Sequence, residues 1–514
     1  MNRYEKDGLM PARLQAPVGD RVVVTELSEE FSLPDYQPEM KRLLRVKATV
    51  LPSDQYVGAG NAECAGHVDY SILYTGNDGA LYCTDQRGTY QFSSPLELPS
   101  DFEAGEGILC CAESVPEQTV GRVIAPRKLM IKCRLRSRVR LFGTRVLGEP
   151  IENDGNLERL CGESVCAAVF FGKSDALQLA DEIVGDDQNE SLRVICADGQ
   201  VFVSEAVAGS GAVHCRGEVC LKLLCCHENE GAESAPYGIT RRIPFSQSVS
   251  VDGAEVNCDA CAHGVCSDLQ VTVEEGRILC EVGIVLQAKA MRRERIAYTR
   301  DVYSTEKSCE AVYQRVKFPS VIKCTNGNLS LNTSLTIEEA GIRQGLTLVD
   351  LVGSATVNPP EVEKGIYRFG GKCRFHAILT DGEELSAQEF EVPFRYDMEG
   401  GKEMPVDCEV VTDVVSCRGK TDGERIGIDA ELSFAVSLCG KQEIQVLSAA
   451  TFGEKWTPKP AVYTVCYPDR RDTLWSVAKR YHCPVSDLSE RNRLAGAPAA
   501  DASDSLSGVS FLLV

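Results

Sequence analysis

The densest set of metal-type ligands in the chain is Cys258-x-x-Cys261, followed by His263 and Cys266, with Cys225-Cys226-His227 upstream. A tetrahedral zinc site needs four Cys or His side chains, and two such pairs can supply them. Cys225, Cys226, Cys258 and Cys261 would be that set. The competing reading is a buried strand. Elsewhere the matching runs are Cys110-Cys111-Ala112-Glu113-Ser114 and Val406-Asp407-Cys408-Glu409-Val410-Val411, so the same positions accept apolar residues. Cys133, Cys220, Cys280 and Cys373 also sit in apolar strand-like runs, where a thiol acts as a small hydrophobe. Core thiols are therefore the preferred reading, and no metal or cofactor is expected. Nucleophilic chemistry finds few candidates. The chain has six His, no Gly-x-Ser-x-Gly elbow and no Gly-rich phosphate loop. His67, His214 and His376 fall on or beside strand-like runs. The acidic pairs Glu338-Glu339 and Glu383-Glu384 fall in polar turns. The expectation is a binding protein and not an enzyme.

A second constellation lies in residues 463–494. Tyr463 to Val465 is a short β-type run, and Asp472 could cap a helix by accepting free N–H groups of its first turn. Leu474, Val477, Ala478 and Tyr481 fall at i, i+3, i+4 and i+7, one helical face. Cys483-Pro484 stops that helix. Val485, Leu488 and Leu494 suggest a second one after Ser486, with Asn492 near its end, and Val509, Phe511 and Val514 suggest a closing strand. Asp472-Thr473-Leu474-Trp475 with Val477-Ala478-Lys479-Arg480-Tyr481 resembles the LysM domain. The resemblance implies a strand-helix-helix-strand module over 463–514. It also implies a partner- or glycan-binding set: Asp472, Thr473, Leu474, Trp475, Lys479, Arg480 and Asn492. LysM domains hold N-acetylglucosamine polymers between two walls. Here Cys466 to Arg471 stretches the first wall, and Ala495-Gly496-Ala497-Pro498-Ala499-Ala500 with Ser507-Gly508 stands at the second. Trp475 could be a partner anchor or a lid on a small core.

The elements that must carry these residues are mostly strands. In 514 residues the formal charge is −21, which leaves no basic excess for nucleic acid. Residues 455–514 hold eight basic and six acidic side chains, so the rest carries −23. A mildly basic module on an acidic body could steer association with acidic partners. The opening Met1–Asp7 has no apolar core after it, so neither a signal peptide nor a membrane-spanning segment is expected. The twenty-four cysteines are then expected to remain thiols.

From Val46 onward the texture is period-two alternation broken by Gly, Asn and Asp turns. The chain also repeats. Gly66 to Leu73, Gly217 to Leu224 and Gly371 to Leu379 each lead into a polar turn, at offsets of 151 and 154 residues. Tyr90-Gln91-Phe92, Ile243-Pro244-Phe245 and Val392-Pro393-Phe394 follow. Leu129 to Leu135, Ile278 to Ile284 and Ile426 to Leu432 form a third anchor. The fold class is mainly β, three related sandwich or curved-barrel units in tandem plus the small α/β tail. The units are placed at 1–145, 146–296 and 297–454, with a linker at 455–462. Breaks are expected near Gly143–Asn156 and Met291–Tyr298. Ser174 to Ile183 reads as a helical insert, and Leu33-Pro34-Asp35-Tyr36-Gln37-Pro38 as a rigid turn.

Three such units followed by a LysM motif resemble the SPOCS-domain plus LysM spore coat morphogenetic family (SipL-type). What that implies is a non-enzymatic scaffold of spore coat or envelope assembly, cytoplasmic in the mother cell and then at the forespore surface. The implied partners are the coat basal-layer ATPase, docking on the LysM-like tail, and other coat proteins. The alternative is a peptidoglycan-binding envelope protein.

Overall fold

The computed structural model describes residues 12–58, 60–102, 107–148, 156–184, 192–229, 232–233, 235–457, 464–494, 506 and 509–514. The first unit is built from β1 (Ala12–Ser32), β2 (Met40–Val50), β3 (Asp54–Val57), β4 (Asn61–Gly76), β5 (Leu81–Pro95), β6 (Leu109–Ala125) and β7 (Lys128–Leu147). The second holds β8 (Leu157–Lys173), β9 (Leu177–Val184), β10 (Leu192–Ala208), β11 (Ala212–Asn229), β12 (Ala232–Glu233), β13 (Tyr237–Ser250), β14 (Asp259–Glu274) and β15 (Arg277–Ser304). The third holds β16 (Lys307–Thr336), β17 (Thr347–Val357), β18 (Glu361–Glu363), β19 (Gly365–Thr380), β20 (Leu385–Gly401), β21 (Asp407–Thr421) and β22 (Arg425–Lys455).

Each unit pairs two antiparallel sheets. In one, β4, β11 or β19 is flanked by β2 and β5, β10 and β13, or β17 and β20. In the other, β7, β15 or β22 lies between β1 and β6, β8/β9 and β14, or β16 and β21. These sheets are open, so the units are sandwiches and not barrels. Alternate residues of the central strands fill each core. Tyr70, Leu221 and Phe375 occupy the same slot in the three units, and so do Tyr74, Cys225 and Leu379, all buried. Cys225 thus takes the place of a tyrosine and a leucine.

Gly66, Gly217 and Gly371 are the start of the repeated anchor, and the structure gives them one job. Each lies opposite an aromatic ring of the next strand: Tyr90, Phe245 and Phe394. The rings cover the bare glycines. Aligning the anchors as triplets would match Phe92 with Phe245, but the register puts Tyr90 there. A Cβ on Gly217 would sit 1.9 Å from the Phe202 carbonyl oxygen, and on Gly371 2.4 Å from that of Thr356. On Gly66 its nearest neighbours would be atoms of the Tyr90 side chain, at 2.7 Å. Gly217→Ala and Gly371→Ala are therefore expected to destabilise by roughly 1–3 kcal/mol. Gly66→Ala should cost less, because a ring can turn and a strand backbone cannot. Urea unfolding of the three variants checks that order.

The three units close around a pseudo-three-fold axis. Phe142, Met291 and Cys439 are the same position of β7, β15 and β22, and they lie in one apolar cluster. Leu147, Ile296 and Ile444 meet in a second. Leu73, Leu224 and Ile378 meet in a third, with Leu44 and Ile195. Between these layers the equivalent positions turn polar, and their chemistry differs from unit to unit. Arg45, Cys196 and Asp350 are equivalent; Arg45 Nη1 donates to Asp350 Oδ2 at 2.5 Å, and Lys222 Nζ reaches Asp350 Oδ1 at 2.7 Å. Lys47 Nζ lies 2.5 Å from Asp198 Oδ1. Arg140, Lys289 and Ser437 are likewise equivalent, and both cations pair with Glu409. These contacts join the first unit to the second, the second to the third, and the third to the first.

Several expectations change. Residues 174–176 form a loop and 177–184 a strand, not a helix. Leu177, Leu179 and Ile183 alternate inward, and β9 pairs with the 277–284 part of β15. The strand β15 runs unbroken through Met291–Tyr298, so the 296/297 boundary falls inside it. The turn at Leu33–Pro38 is present: Gln37 N–H donates to Pro34 O at 3.0 Å, and Arg127 clamps both carbonyls. Of the 455–462 linker and the Gly143–Asn156 break, residues 458–462 and 149–155 lie outside the described set. No helix among the described residues is long and apolar enough to cross a membrane.

Candidate functional site

The C-terminal module contains β23 (Val465–Cys466), α1 (Leu474–Tyr481), α2 (Val485–Arg491) and β24 (Leu512–Leu513). Helix α1 is capped by Thr473, which forms a capping box with Ser476: each side-chain oxygen accepts the other residue's backbone N–H. The sequence pointed to Asp472 as the cap, and the structure moves that role one residue on. Asp472 instead ties the loop together. It accepts from the Asp469 N–H at 3.0 Å and from Arg480 Nη2 at 2.7 Å, and its backbone carbonyl accepts from the Leu506 N–H. The Asp469 N–H and the Arg480 guanidinium hold its carboxyl below the usual range. Asn492 is a clasp. It donates to Leu488 O and Leu513 O at 2.8 Å each and accepts from the Leu513 N–H at 2.6 Å. The strands pair Cys466 with Leu512 and Val465 with Leu513. Leu512 is the buried member of the closing strand, whereas Phe511 points outward.

The module does not bury its apolar face alone. Leu474, Trp475, Val477, Ala478, Val485, Leu488, Leu506 and Leu512 share one cluster with Leu160 and Tyr303 of the β body. Trp475 packs edge-on against Tyr303, ring centroids 4.9 Å apart. Its Nε1–H donates to Asp301 Oδ2 at 2.7 Å, and Lys479 Nζ reaches Asp301 Oδ1 at 2.6 Å. Tyr313 O–H donates to the same carboxylate at 2.5 Å. Burial opposes ionisation of Asp301, but these three donors outweigh it and hold the carboxyl low. Tyr303 O–H donates to Cys483 O at 2.7 Å, and His482 Nδ1–H to Ser304 O at 2.8 Å, with Trp456 stacked on His482. Trp475 and Lys479 are thus spent on the chain's own body, and Trp475 is a lid over a shared core.

What faces outward is the other side. Val465 and Leu513 are exposed on the ribbon, and Tyr467 (76% exposed) and Phe511 (53%) continue the same alternation. Arg471 is exposed nearby. This apolar strip lies along the first of the two expected walls. The residues of the second wall, 495–500 and 507–508, lie outside the described set.

The four candidate zinc ligands are not gathered. Cys225 and Cys258 belong to the core of the second unit, Cys226 to the axis layer around Leu73, and Cys261 to the layer around Met291. A different set meets on the axis. A cavity of about 380 Å³ there is lined by Cys111, Glu113, Cys261, His263, Lys289 and Glu409 among others. Ligand atoms of Cys111, Glu113 and Glu409 all lie within 4.8 Å of one another. The charge that a metal ion would supply is already there, because Arg140 and Lys289 pair with Glu409. Burial and the Glu409 charge push the Glu113 carboxyl well up. Burial pushes the Cys111 thiol up to about 12 and the His263 imidazole down. At neutral pH the Cys111 thiol therefore stays protonated, which makes it a weak nucleophile.

Sequence reading missed Asp301, Tyr303 and Tyr313. They lie more than 150 residues before the helix they hold, and nothing in their local pattern marks them. No curated protein and no solved structure matches the chain significantly. A family model for the LysM domain matches residues 470–497. Those residues cover the capped loop, both helices and the Asn492 clasp, so a LysM domain stands at the C-terminus of this mainly β chain.

Proposed function

We propose that this protein is a non-enzymatic assembly scaffold, in which a rigid three-unit β body presents a LysM module to a protein partner. The observation that carries this reading is the orientation of the module. Its helix face is fixed to the body through Asp301, and its aromatic ribbon with Tyr467 and Phe511 is left open. Exposed aromatic residues at the centre of a patch are the usual anchors of protein interfaces. The resemblance in repeat order and LysM motif makes spore coat assembly the setting. In that setting the chain begins in the mother-cell cytoplasm and moves to the forespore surface, with the coat basal-layer ATPase docking on the module. A basic module on an acidic body suits an acidic partner surface. Joining the module and the β units in one chain raises avidity for a layered partner.

The LysM match itself favours a second reading, binding of peptidoglycan through the same strip. Tyr467 and Phe511 could stack on sugar faces as readily as on a protein. The experiment uses the full chain, because the module shares its core with Leu160 and Tyr303. Pull-down of the purified ATPase, without saturable co-sedimentation with purified peptidoglycan, is the expected result. Sedimentation without pull-down would install the glycan reading instead.

A further inference from the structure

We propose that Cys83 and Cys196 form a disulfide under oxidising conditions and so staple the first unit to the second beside the axis. Their sulfurs are 3.2 Å apart, with the Cys83 S–H donating to Cys196 Sγ. A disulfide needs about 2.05 Å, so closure asks for about an ångström of thiol movement. The two residues come from different sandwiches, β5 and β10, and 113 residues separate them in the chain. The positions equivalent to Cys196 hold Arg45 and Asp350, and those equivalent to Cys83 hold Gly238 and Ala387. At this pair of positions only the seam between the first and second units carries two thiols.

The surroundings make Cys196 the first attacking sulfur, since the hydrogen bond to Cys196 and burial push the Cys83 thiol well up. Arg45 Nη2 lies 3.9 Å from Cys196 Sγ, and Ser71 Oγ lies 3.3 Å from Cys83 Sγ and 3.9 Å from Cys196 Sγ. The Cys83 S–H and, after the opposing effect of burial, the Arg45 charge lower the Cys196 thiol. A hydrogen-bonded sulfur beside a guanidinium is the more nucleophilic of a pair. Cys83 is half-buried, which gives a small oxidant its approach. With hydrogen peroxide as oxidant, Cys196 sulfur attacks one peroxide oxygen, the O–O bond breaks, and a sulfenic acid and one water result. Cys83 sulfur then attacks Cys196 sulfur, the S–O bond breaks, and the second water leaves. Two thiols lose two electrons and two protons, and the peroxide gains them.

The test uses the full chain treated with peroxide and then alkylated. Cleavage before aspartate isolates Cys83 in residues 78–84 and Cys196 in 187–197, each with one cysteine. Mass spectrometry without reductant should find these two peptides joined, two hydrogens lighter than their sum. Closing so long a loop should also raise the thermal midpoint by roughly 5 °C. Dithiothreitol should reverse the rise, and both Cys83→Ser and Cys196→Ser should lack it. The mapping in the unmodified chain stands whether or not either variant folds. Recovery of both peptides alkylated, over-oxidised or joined to other cysteines would overturn the proposal.

Discussion

Glu409→Ala is expected to cost the folded chain about 3–5 kcal/mol, the range for stripping the partner from a buried charge. Glu409 is 9% exposed and receives Arg140 from the first unit and Lys289 from the second, the latter at 2.5 Å. Lys289 also donates to Ser437 Oγ. Removing the carboxylate strips Lys289 of its ion pair and leaves Arg140 to Asp407, 3.5 Å away. Its neighbour gives the opposite expectation. Glu113 is held up by burial and by Glu409, so it keeps a proton at pH values where the unfolded chain would release it. Glu113→Gln supplies that neutral group permanently and should be neutral or stabilising at pH 7. Urea unfolding at pH 7 distinguishes the two. The acid limb follows from the same geometry. Burial opposes it, but Lys289 and Arg140 hold Glu409 low, and Arg45 and Lys222 do the same for Asp350. A depressed carboxyl adds stability that is complete above its unfolded value, near pH 4, and is lost as pH falls towards its folded value. The ionic part of the axial stabilisation should therefore shrink progressively as pH falls below about 4.

Asp301→Ala is expected to release the LysM module. One carboxylate collects the Trp475 indole, the Lys479 ammonium and the Tyr313 hydroxyl. Losing three charge-assisted bonds at a half-buried site should weaken docking by roughly 2–4 kcal/mol. Hydrogen exchange across α1 should accelerate by more than tenfold, and tryptophan emission should shift to the red. Lys479→Ala removes only one of the donors and should give a fraction of the effect. Unchanged exchange in Asp301→Ala would mean that the apolar contacts of Tyr303 and Leu160 hold the module unaided.

Much of the β body was legible because strand alternation and constant offsets survive divergence in the core. Gly217 and Cys280 sit where their equivalents do, while Phe245 answers to Tyr90 and not to Phe92. The closure around an axis was not legible. Equivalent positions there hold Arg45, Cys196 and Asp350, so the repeats differ most where they touch, and similarity cannot flag them. The 174–183 run misled because Leu177, Ala180 and Ile183 satisfy a helical spacing, while Leu177, Leu179 and Ile183 satisfy a strand equally well. Pairing with β15 decided between them. In the module, helix spacing placed Leu474, Val477 and Ala478 correctly in the core. Of the two roles open for Trp475, anchor or lid, the structure shows the lid; the Asp301 that holds it and Lys479 lies in a distant strand, and in the closing strand Leu512 turns inward where Phe511 does not.

The most direct measurement is a binding isotherm of the full chain for the purified coat ATPase, comparing the unmodified protein with Tyr467→Ser/Phe511→Ser. Both residues are exposed, so the double variant should keep its fold and its unfolding midpoint. The double variant should bind at least tenfold more weakly, the scale of lost aromatic anchors. Equal affinity in a folded double variant, or no affinity in either protein, would contradict the proposed docking.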